Sequence, residues 1–145
     1  MKHQHYIHPE KKDFSIHTDP DLLDLEYVHR YLKEESYWAG DSEKEETAGM
    51  LRDGLCFGVF YQKRQIGVAS VTTDGRSYAY ISDVFIDEKY ERQGLATWLI
   101  ECVLSHPMIK NLSHCMLLTD DAHSFYEKMG FKRIAGSADQ MIKYK

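Results

Sequence analysis

Apolar and polar positions in the first third of the chain predict one strand followed by two helices. Residues 14–17 alternate between apolar and polar side chains, which is typical of a strand with one buried face. Asp19 and Pro20 then supply an N-cap and a first-turn proline, so a helix is expected to begin there. A second helix is expected from a capping box at Ser42 to about Arg52. The buried stripe of the first helix is expected at four apolar residues with helical spacing: Leu22, Leu25, Val28 and Leu32.

The middle of the chain predicts three consecutive antiparallel strands. Residues 55–61 and 65–72 are rich in apolar side chains, and an Asp74-Gly75 turn leads into a third strand at 78–86. After them the pattern predicts a helix, a strand, a helix and two strands, at 94–104, 115–118, 121–129, 131–134 and 140–144. This order indicates an α+β fold, and three antiparallel strands argue against a doubly wound dinucleotide-binding fold.

Length and charge narrow the classes of function. At 145 residues the chain fits one compact domain, taken as residues 1–145. The formal net charge of −5 disfavours nucleic acid and anionic membranes as partners and favours cationic ones. No apolar run approaches the roughly 20 residues of a membrane span. Residues 1–5 lack the apolar core of a signal peptide, so a cytoplasmic location is expected.

Cysteine and histidine positions predict no metal site. Cys56, Cys102 and Cys115 are odd in number, widely spaced and set among apolar neighbours, so they are expected to be reduced core thiols. His3, His5 and His8 are expected to lie in a solvated, poorly ordered N-terminal segment and are assigned no role.

A tight connection between the strand at 78–86 and the next helix has the composition of a phosphate-binding loop. Residues 90–97 read Tyr-Glu-Arg-Gln-Gly-Leu-Ala-Thr. The first amides of a helix have no partner inside it and lie at the positive end of its dipole, so they suit phosphate oxygens. Gly94 allows close approach of the backbone, Ala96 keeps the wall low, and Thr97 adds a hydroxyl. Taken alone, the same residues also fit an ordinary strand-to-helix turn.

A second motif downstream favours the phosphate-binding interpretation over an ordinary turn. Residues 126–131 read Tyr-Glu-Lys-Met-Gly-Phe, in which Gly130 suits a left-handed helix C-cap. With the loop, this segment resembles the GNAT superfamily of acetyl-CoA-dependent N-acetyltransferases over most of the chain. Gly94 and Ala96 match the family's phosphate loop, whereas Glu91 stands where the family usually has Gln or Arg. The resemblance implies a mixed, mostly antiparallel twisted sheet with helices on both faces.

The resemblance also implies a cofactor, acetyl-CoA, and residues that hold it. The expected contacts are main-chain groups of the β-strand before the loop, the loop itself and the last helix: Val84, Phe85, Ile86, Arg92, Gln93, Gly94, Leu95, Ala96, Thr97, Ser124 and Lys128. Tyr126 is the expected general acid for the departing thiolate. Asp83 is a candidate base for the amine, and a plain hydrogen bond from Asp83 to a neighbouring loop is an equal alternative.

The acceptor site is expected near the first helix and the loop after it. In the resembled fold this region shapes the acceptor pocket, which points to His29, Glu34, Tyr37 and Trp38. Tyr80, on the strand at 78–86, is a fifth candidate for the same pocket. Aromatic rings beside carboxylates suit a cationic amine. Tyr37 and Trp38 could instead cover the hydrophobic core.

These observations lead to one main hypothesis and two alternatives. The main hypothesis is direct transfer of an acetyl group to a primary amine of a small cationic molecule. Within the enzyme class, the alternative is acetylation of a protein N-terminus or lysine. Outside it, the domain could be a non-catalytic acyl-CoA sensor. Members of the resembled family often form dimers, so a homodimer remains an open alternative. The sequence itself shows no recognisable interface.

Overall fold

A computed structural model describes residues 2–35, 43–134 and 140–144 of the chain. Within those residues it contains four α-helices: α1 Leu25–Glu35, α2 Lys44–Asp53, α3 Leu95–Ser105 and α4 His123–Lys128. The strands are β1 His5–Ile7, β2 Phe14–His17, β3 Leu55–Tyr61, β4 Arg64–Thr73, β5 Tyr78–Ile86, β6 His114–Leu118, β7 Lys132–Arg133 and β8 Gln140–Tyr144. Short 3₁₀ turns lie at Pro20–Leu22 and Glu88–Tyr90.

The eight described strands form one open sheet in the order β1-β2-β3-β4-β5-β6-β8-β7. Its neighbours run antiparallel except β5 and β6, which are parallel. A parallel pair needs a crossover connection, and α3 supplies it. The expected α+β fold with a mixed, mostly antiparallel sheet is therefore confirmed.

Each face of the sheet carries its own apolar core, because successive strand residues point to opposite faces. Phe57 belongs to the larger core with α3, which buries Leu99 and Ile100. Its neighbour Cys56 belongs to the smaller core on the other face, with Val28 and Leu32 of α1 and Leu51 of α2. The sheet is thus covered by helices on both sides. None of the described helices is long and apolar enough to cross a membrane.

The N-terminal segment differs from its prediction. Residues His5–Ile7 form β1, which pairs with β2 along the sheet edge, rather than a poorly ordered tail. Thr18 fastens its start, because the Thr18 hydroxyl accepts the Gln4 amide at 2.7 Å. A strand of three residues is too short to show an alternating pattern in the sequence.

The first helix also begins later than predicted. Asp19 does act as a cap, but for the single 3₁₀ turn at Pro20–Leu22, and α1 starts only at Leu25. There the Asp24 carboxylate accepts the Tyr27 amide at 3.1 Å, as an N-cap side chain does. The break between the two turns leaves Leu22 51% exposed, so its place in the buried stripe was wrong.

The other boundaries lie close to their predictions. Helix α2 starts at Lys44 with Glu43 at the N-cap, and Glu43 makes no side-chain capping bond; the predicted cap Ser42 lies outside the described residues. Helix α4 is shorter than predicted, because Thr119 rather than Asp121 organises its start through a bond to the Ala122 amide. All three cysteines are free and buried, as expected.

Candidate functional site

A cleft opens in the sheet where β5 and β6 part. Their parallel pairing begins at Tyr78 with His114 and ends at Ile81 with Leu117, although β5 continues to Ile86. In the described part of the chain, no strand pairs with this side of β5 beyond Ile81. Of the residues beyond that pairing, 82–84 line a cavity of about 220 Å³. Its walls come from β5, the end of β6 and the start of α4: Tyr80, Ile81, Ser82, Asp83, Val84, Leu117, Leu118, Thr119, Asp121, Ala122 and Tyr126.

A β-bulge lies at the mouth of this cleft. The register between β4 and β5 shifts between Val68 and Ser70, and Asp83 takes a left-handed backbone conformation with φ 49°. Non-glycine residues rarely adopt that conformation, and aspartate is one of the few that tolerate it. A bulge bends its strand and redirects the side chain there. As a result Asp83 lines two cavities rather than one.

The second cavity is a groove of about 760 Å³ on the side of α2. From the sheet it is lined by Ser70 and Thr72 of β4 and by Ser82 of β5, and from α2 by Thr47 and Met50. Ser70 and Ser82 are cross-strand partners, so two hydroxyl-bearing residues face each other beside the bulge. The groove and the cleft share Ser82 and Asp83. These two residues therefore stand in the walls of both cavities.

The negative charge of Asp83 affects the pKa of two neighbouring groups, Tyr80 and Cys56. Burial, and then the Asp83 carboxylate, raise the pKa of the Tyr80 phenol. Burial is also the main cause that raises the pKa of the Cys56 thiol to about 12, with Asp83 acting in the same direction. The Cys56 thiol also donates to the Met50 carbonyl at 3.3 Å. Cys56 therefore stays protonated near neutral pH and is a poor nucleophile, since the thiolate is the reactive form.

Tyr126 stands on the opposite wall of the cleft. It is 7% exposed, and its ring meets those of Phe125 and Phe131 edge to face at 4.9 and 5.7 Å. The turn that ends α4 is closed by amides of Met129 and Phe131, which both donate to the Tyr126 carbonyl at 3.0 Å. Gly130 has φ 95°, the left-handed conformation expected of it. Packing on both sides fixes the ring against the cleft.

The predicted phosphate loop has the donor set that a diphosphate needs. Gly94 is the N-cap of α3 with φ 78°, and the first bond of the helix runs from the Trp98 amide to the Gly94 carbonyl. The amides of residues 95–97 consequently have no acceptor inside the helix. Among the described residues, nothing lies within 4 Å of a Cβ built at Gly94. Open space in front of unpaired donors at the positive end of a helix fits an anionic group of this size.

The other loop residues surround these donors. Leu95 is buried under the helix, Ala96 is half-buried, and Arg92 and Thr97 are exposed. Arg92 shares the left-handed conformation of Gly94, with φ 64°. The Gln93 side-chain Nε2 donates to the Tyr90 carbonyl at 3.4 Å, within the loop itself.

On β5 the three predicted cofactor residues have different surroundings. The Val84 side chain lines the cleft and is half-buried. The Ile86 side chain is buried in the larger core, and the Phe85 ring stacks on Tyr31 of α1 at 3.9 Å and 8°. Phe85 and Ile86 can reach a ligand in the cleft through their main chain only. Ser124 and Lys128 are exposed on α4, outside the residues that line the cleft.

The three predicted acceptor residues that the structure describes are not brought together. Tyr80 lines the cleft. His29 instead ties α1 to α2, because its Nδ1 lies 3.1 Å from the Thr47 hydroxyl. Glu34 borders a separate cavity of about 250 Å³ between α1 and the end of β5. The remaining two predicted acceptor residues, Tyr37 and Trp38, lie outside the described residues.

Sequence reasoning missed the hydroxyl-bearing residues of the site. Ser70 and Thr72 line the groove from the end of β4, Ser82 lies next to the bulge, and Thr119 begins the turn into α4. The signal in the sequence was the change along β4, in which an apolar strand ends in Ser-Val-Thr-Thr. Such a change on a buried strand indicates a polar cavity against its last residues.

The sequence matches the acetyltransferase (GNAT) family over residues 14–131. A protein of Gibberella zeae that carries the name acetyltransferase FG08082 is 27% identical over 144 residues, which covers 83% of this chain and 80% of that protein.

Solved structures agree with the sequence matches. A protein of Xanthomonas campestris pv. campestris, described as belonging to the GNAT family, superimposes with a TM-score of 0.81 at 33% identity, covering 84% of this chain and 86% of that one. PaiA N-acetyltransferase from Thermoplasma acidophilum, solved in complex with coenzyme A, gives a TM-score of 0.65 at 19% identity. The second alignment covers 91% of this chain and 99% of that one.

Proposed function

The chain belongs to the acetyltransferase (GNAT) family, and from this premise we propose that it transfers an acetyl group from acetyl-CoA to a primary amine of a small cationic molecule. The family uses acetyl-CoA, and the fold neighbour PaiA was solved with coenzyme A. Acetyl-CoA supplies the acetyl group as a thioester, which an amine can attack directly. What this chain must supply is binding, orientation and proton transfer.

The cofactor is held by main-chain donors at two places. The amides at the start of α3, around Gly94, bind the diphosphate. The side of β5 that β6 leaves open, at Val84 to Ile86, binds the amides of the pantetheine arm. A main-chain amide near Phe85 polarises the acetyl carbonyl. Such donors need no rearrangement when charge develops on that oxygen.

The acceptor amine enters through the groove on the side of α2. Asp83 lines both the groove and the cleft, and the groove is also lined by Glu46 and Asp53 and by Lys2 and Arg52. Three carboxylates against two cationic side chains leave the lining net negative, which favours a cation, and the net charge of −5 acts in the same direction. The amine reaches the cleft beside Ser82 and Asp83, which line both cavities.

Two side chains move the protons. The Asp83 carboxylate binds the ammonium and accepts its proton, which leaves a neutral amine as the nucleophile. Tyr126 donates its phenolic proton to the departing thiolate from the opposite wall, the second proton that the nitrogen loses as the amide forms returns to the phenolate, and Asp83 releases its proton to solvent. A phenol has a higher ordinary pKa than a thiol, about 10 against 8.5, so Tyr126 works through its position and its contribution is modest.

Transfer is direct and does not pass through a cysteine. Cys56 is the cysteine beside Ser70 and Asp83, and its pKa of about 12 keeps it protonated. Cys102 has the same pKa, raised by burial, and it belongs to the α3 core. Neither thiol is ionised at neutral pH, so neither can carry the acetyl group as an activated nucleophile.

The observation that carries the proposal is that Ser82 and Asp83 line both cavities, with Tyr126 on the far wall of the cleft. The test is a panel of amines incubated with acetyl-CoA and the protein, in which free thiol release is measured. Thiol release that depends on a small diamine or aminoalkyl compound supports the proposal. Release only with peptides would favour a protein N-terminus or lysine as acceptor. Coenzyme A binding without amine-dependent release would favour a sensor.

A further inference from the structure

The connection between β1 and β2 is built into a fixed turn beside α3. The His8 Nδ1 accepts two amides, from Glu10 at 3.2 Å and from Lys11 at 3.0 Å. Its ring also meets Trp98, in the first turns of α3, edge to face at 4.8 Å. The Phe14 amide closes the turn on the Lys11 carbonyl at 3.0 Å. A segment predicted to be poorly ordered is thus attached to the helix that carries the phosphate loop.

The turn brings one ammonium group onto the phosphate loop. The Lys11 Nζ lies 3.2 Å from the Gln93 carbonyl oxygen and 3.5 Å from the Gln93 Oε1. Gln93 directly precedes the N-cap Gly94, so the ammonium is next to the unpaired amides of α3. An ammonium has three donors. The two contacts to Gln93 therefore leave Lys11 able to donate to an anion bound at those amides.

Glu91, the acidic residue of the phosphate loop, acts on Tyr31 of α1. Burial first, and then the carboxylates of Glu88 and Glu91, raise the pKa of the Tyr31 phenol on α1 to about 12. Glu91 is therefore within electrostatic range of α1. The position where the resembled family has Gln or Arg thus carries a negative charge in this chain, whereas Lys11 places a positive one at the start of α3.

We propose that Lys11 is a cofactor-binding residue, which reaches the phosphate loop from a separate hairpin and supplies the cation that Glu91 does not. The proposal rests on the proposed function, because the anion it recognises is the diphosphate of coenzyme A. Lys11 lies 82 positions away from Gln93 in the sequence and outside both family motifs, so the proposal adds a residue to the cofactor site that the motifs do not contain. Lys11 binds and orients the cofactor and takes no part in proton transfer.

The test is the dissociation constant of coenzyme A, measured by isothermal titration calorimetry at low and at high salt. Lys11→Met should weaken binding about fivefold at low salt, the loss of one exposed charge contact. The deficit should shrink toward zero at about 1 M salt, where the Debye length is about 3 Å. Lys11→Arg should bind like the wild type. The matched control is Lys12→Met, which removes the neighbouring exposed lysine.

Each outcome distinguishes the inference from its alternatives. Equal affinities for Lys11→Met and the wild type would overturn it. A deficit that is the same at every salt concentration, with a lowered free energy of unfolding, would mean that Lys11 only fastens the hairpin, and this also overturns it. An equal loss in Lys12→Met would reduce the effect to net charge. If the wild type itself binds no coenzyme A, the proposed function fails.

Discussion

The replacement Asp83→Asn separates the charge of the proposed base from its backbone. Asp83 holds φ 49° in the bulge, and asparagine tolerates this left-handed conformation about as well as aspartate does. The variant should therefore keep the bulge and both cavities while it loses the carboxylate. Asp83→Ala is a poorer choice, because alanine at that φ would cost roughly 1–2 kcal/mol and confuse stability with catalysis.

The expected loss follows from the role of the carboxylate. Removal of a general base typically costs 10²- to 10⁴-fold in rate, so kcat/KM for the amine should fall at least about 100-fold, or about 2.7 kcal/mol. Affinity for coenzyme A should stay within about twofold, because Asp83 lines the two cavities and does not lie at the start of α3. Asp83→Gly should behave like Asp83→Asn, since glycine also accepts the conformation.

The assay is thiol release over a range of pH. The wild type should lose activity on the acid side as the carboxylate takes up a proton. In Asp83→Asn the rate should instead rise with pH as the free amine itself deprotonates in solution. Asp21→Asn, an exposed aspartate outside both cavities, is the control and should match the wild type. Asp83→Asn activity within about threefold of the wild type at every pH would refute the role of Asp83 as base.

Three further changes test other parts of the site and the fold. Tyr126→Phe should lower kcat about 10- to 100-fold with coenzyme A affinity within twofold, and an unchanged kcat would remove Tyr126 from the acid role. Gly94→Val, at φ 78°, should strain the loop and weaken coenzyme A binding at least tenfold in calorimetry; retained affinity would mean that the diphosphate binds elsewhere. Burial lowers the pKa of His106, which is 1% exposed. The folded chain therefore resists its protonation, and the free energy of unfolding in urea should fall as the pH drops below about 6.5. His106→Asn should weaken that pH dependence, and an unchanged slope would show that His106 does not cause it.

The central meander was predictable because its signals are local. Apolar runs of strand length, separated by short polar turns, gave β3, β4 and β5 to within a residue or two. Gly130 was identified from its place beside a helix end and has the left-handed φ expected there, and Gly94, expected to allow close approach of the backbone, is left-handed as well. The prediction that Leu22 is buried was wrong, because a capping signal does not indicate how many helical turns follow it. Asp19 started one 3₁₀ turn, and a new cap at Asp24 set the face of α1.

The site was harder to predict, because its parts meet through the sheet rather than along the chain. The motifs located the phosphate loop and Tyr126, but the bulge that turns Asp83 toward both cavities has no residue-level signal. Lys11 and Gln93 are 82 positions apart, and the packing of the β1–β2 connection against α3 joins them. Contacts of this kind depend on tertiary packing, which local propensity does not encode.

A crystal structure of the protein with coenzyme A tests the central claim most directly. The proposal predicts the diphosphate on the amides of residues 95–97, the pantetheine arm along the open side of β5, and the sulfur within hydrogen-bonding distance of the Tyr126 phenol. Density for the diphosphate away from α3, or a sulfur on the far side of the sheet from Tyr126, would contradict it.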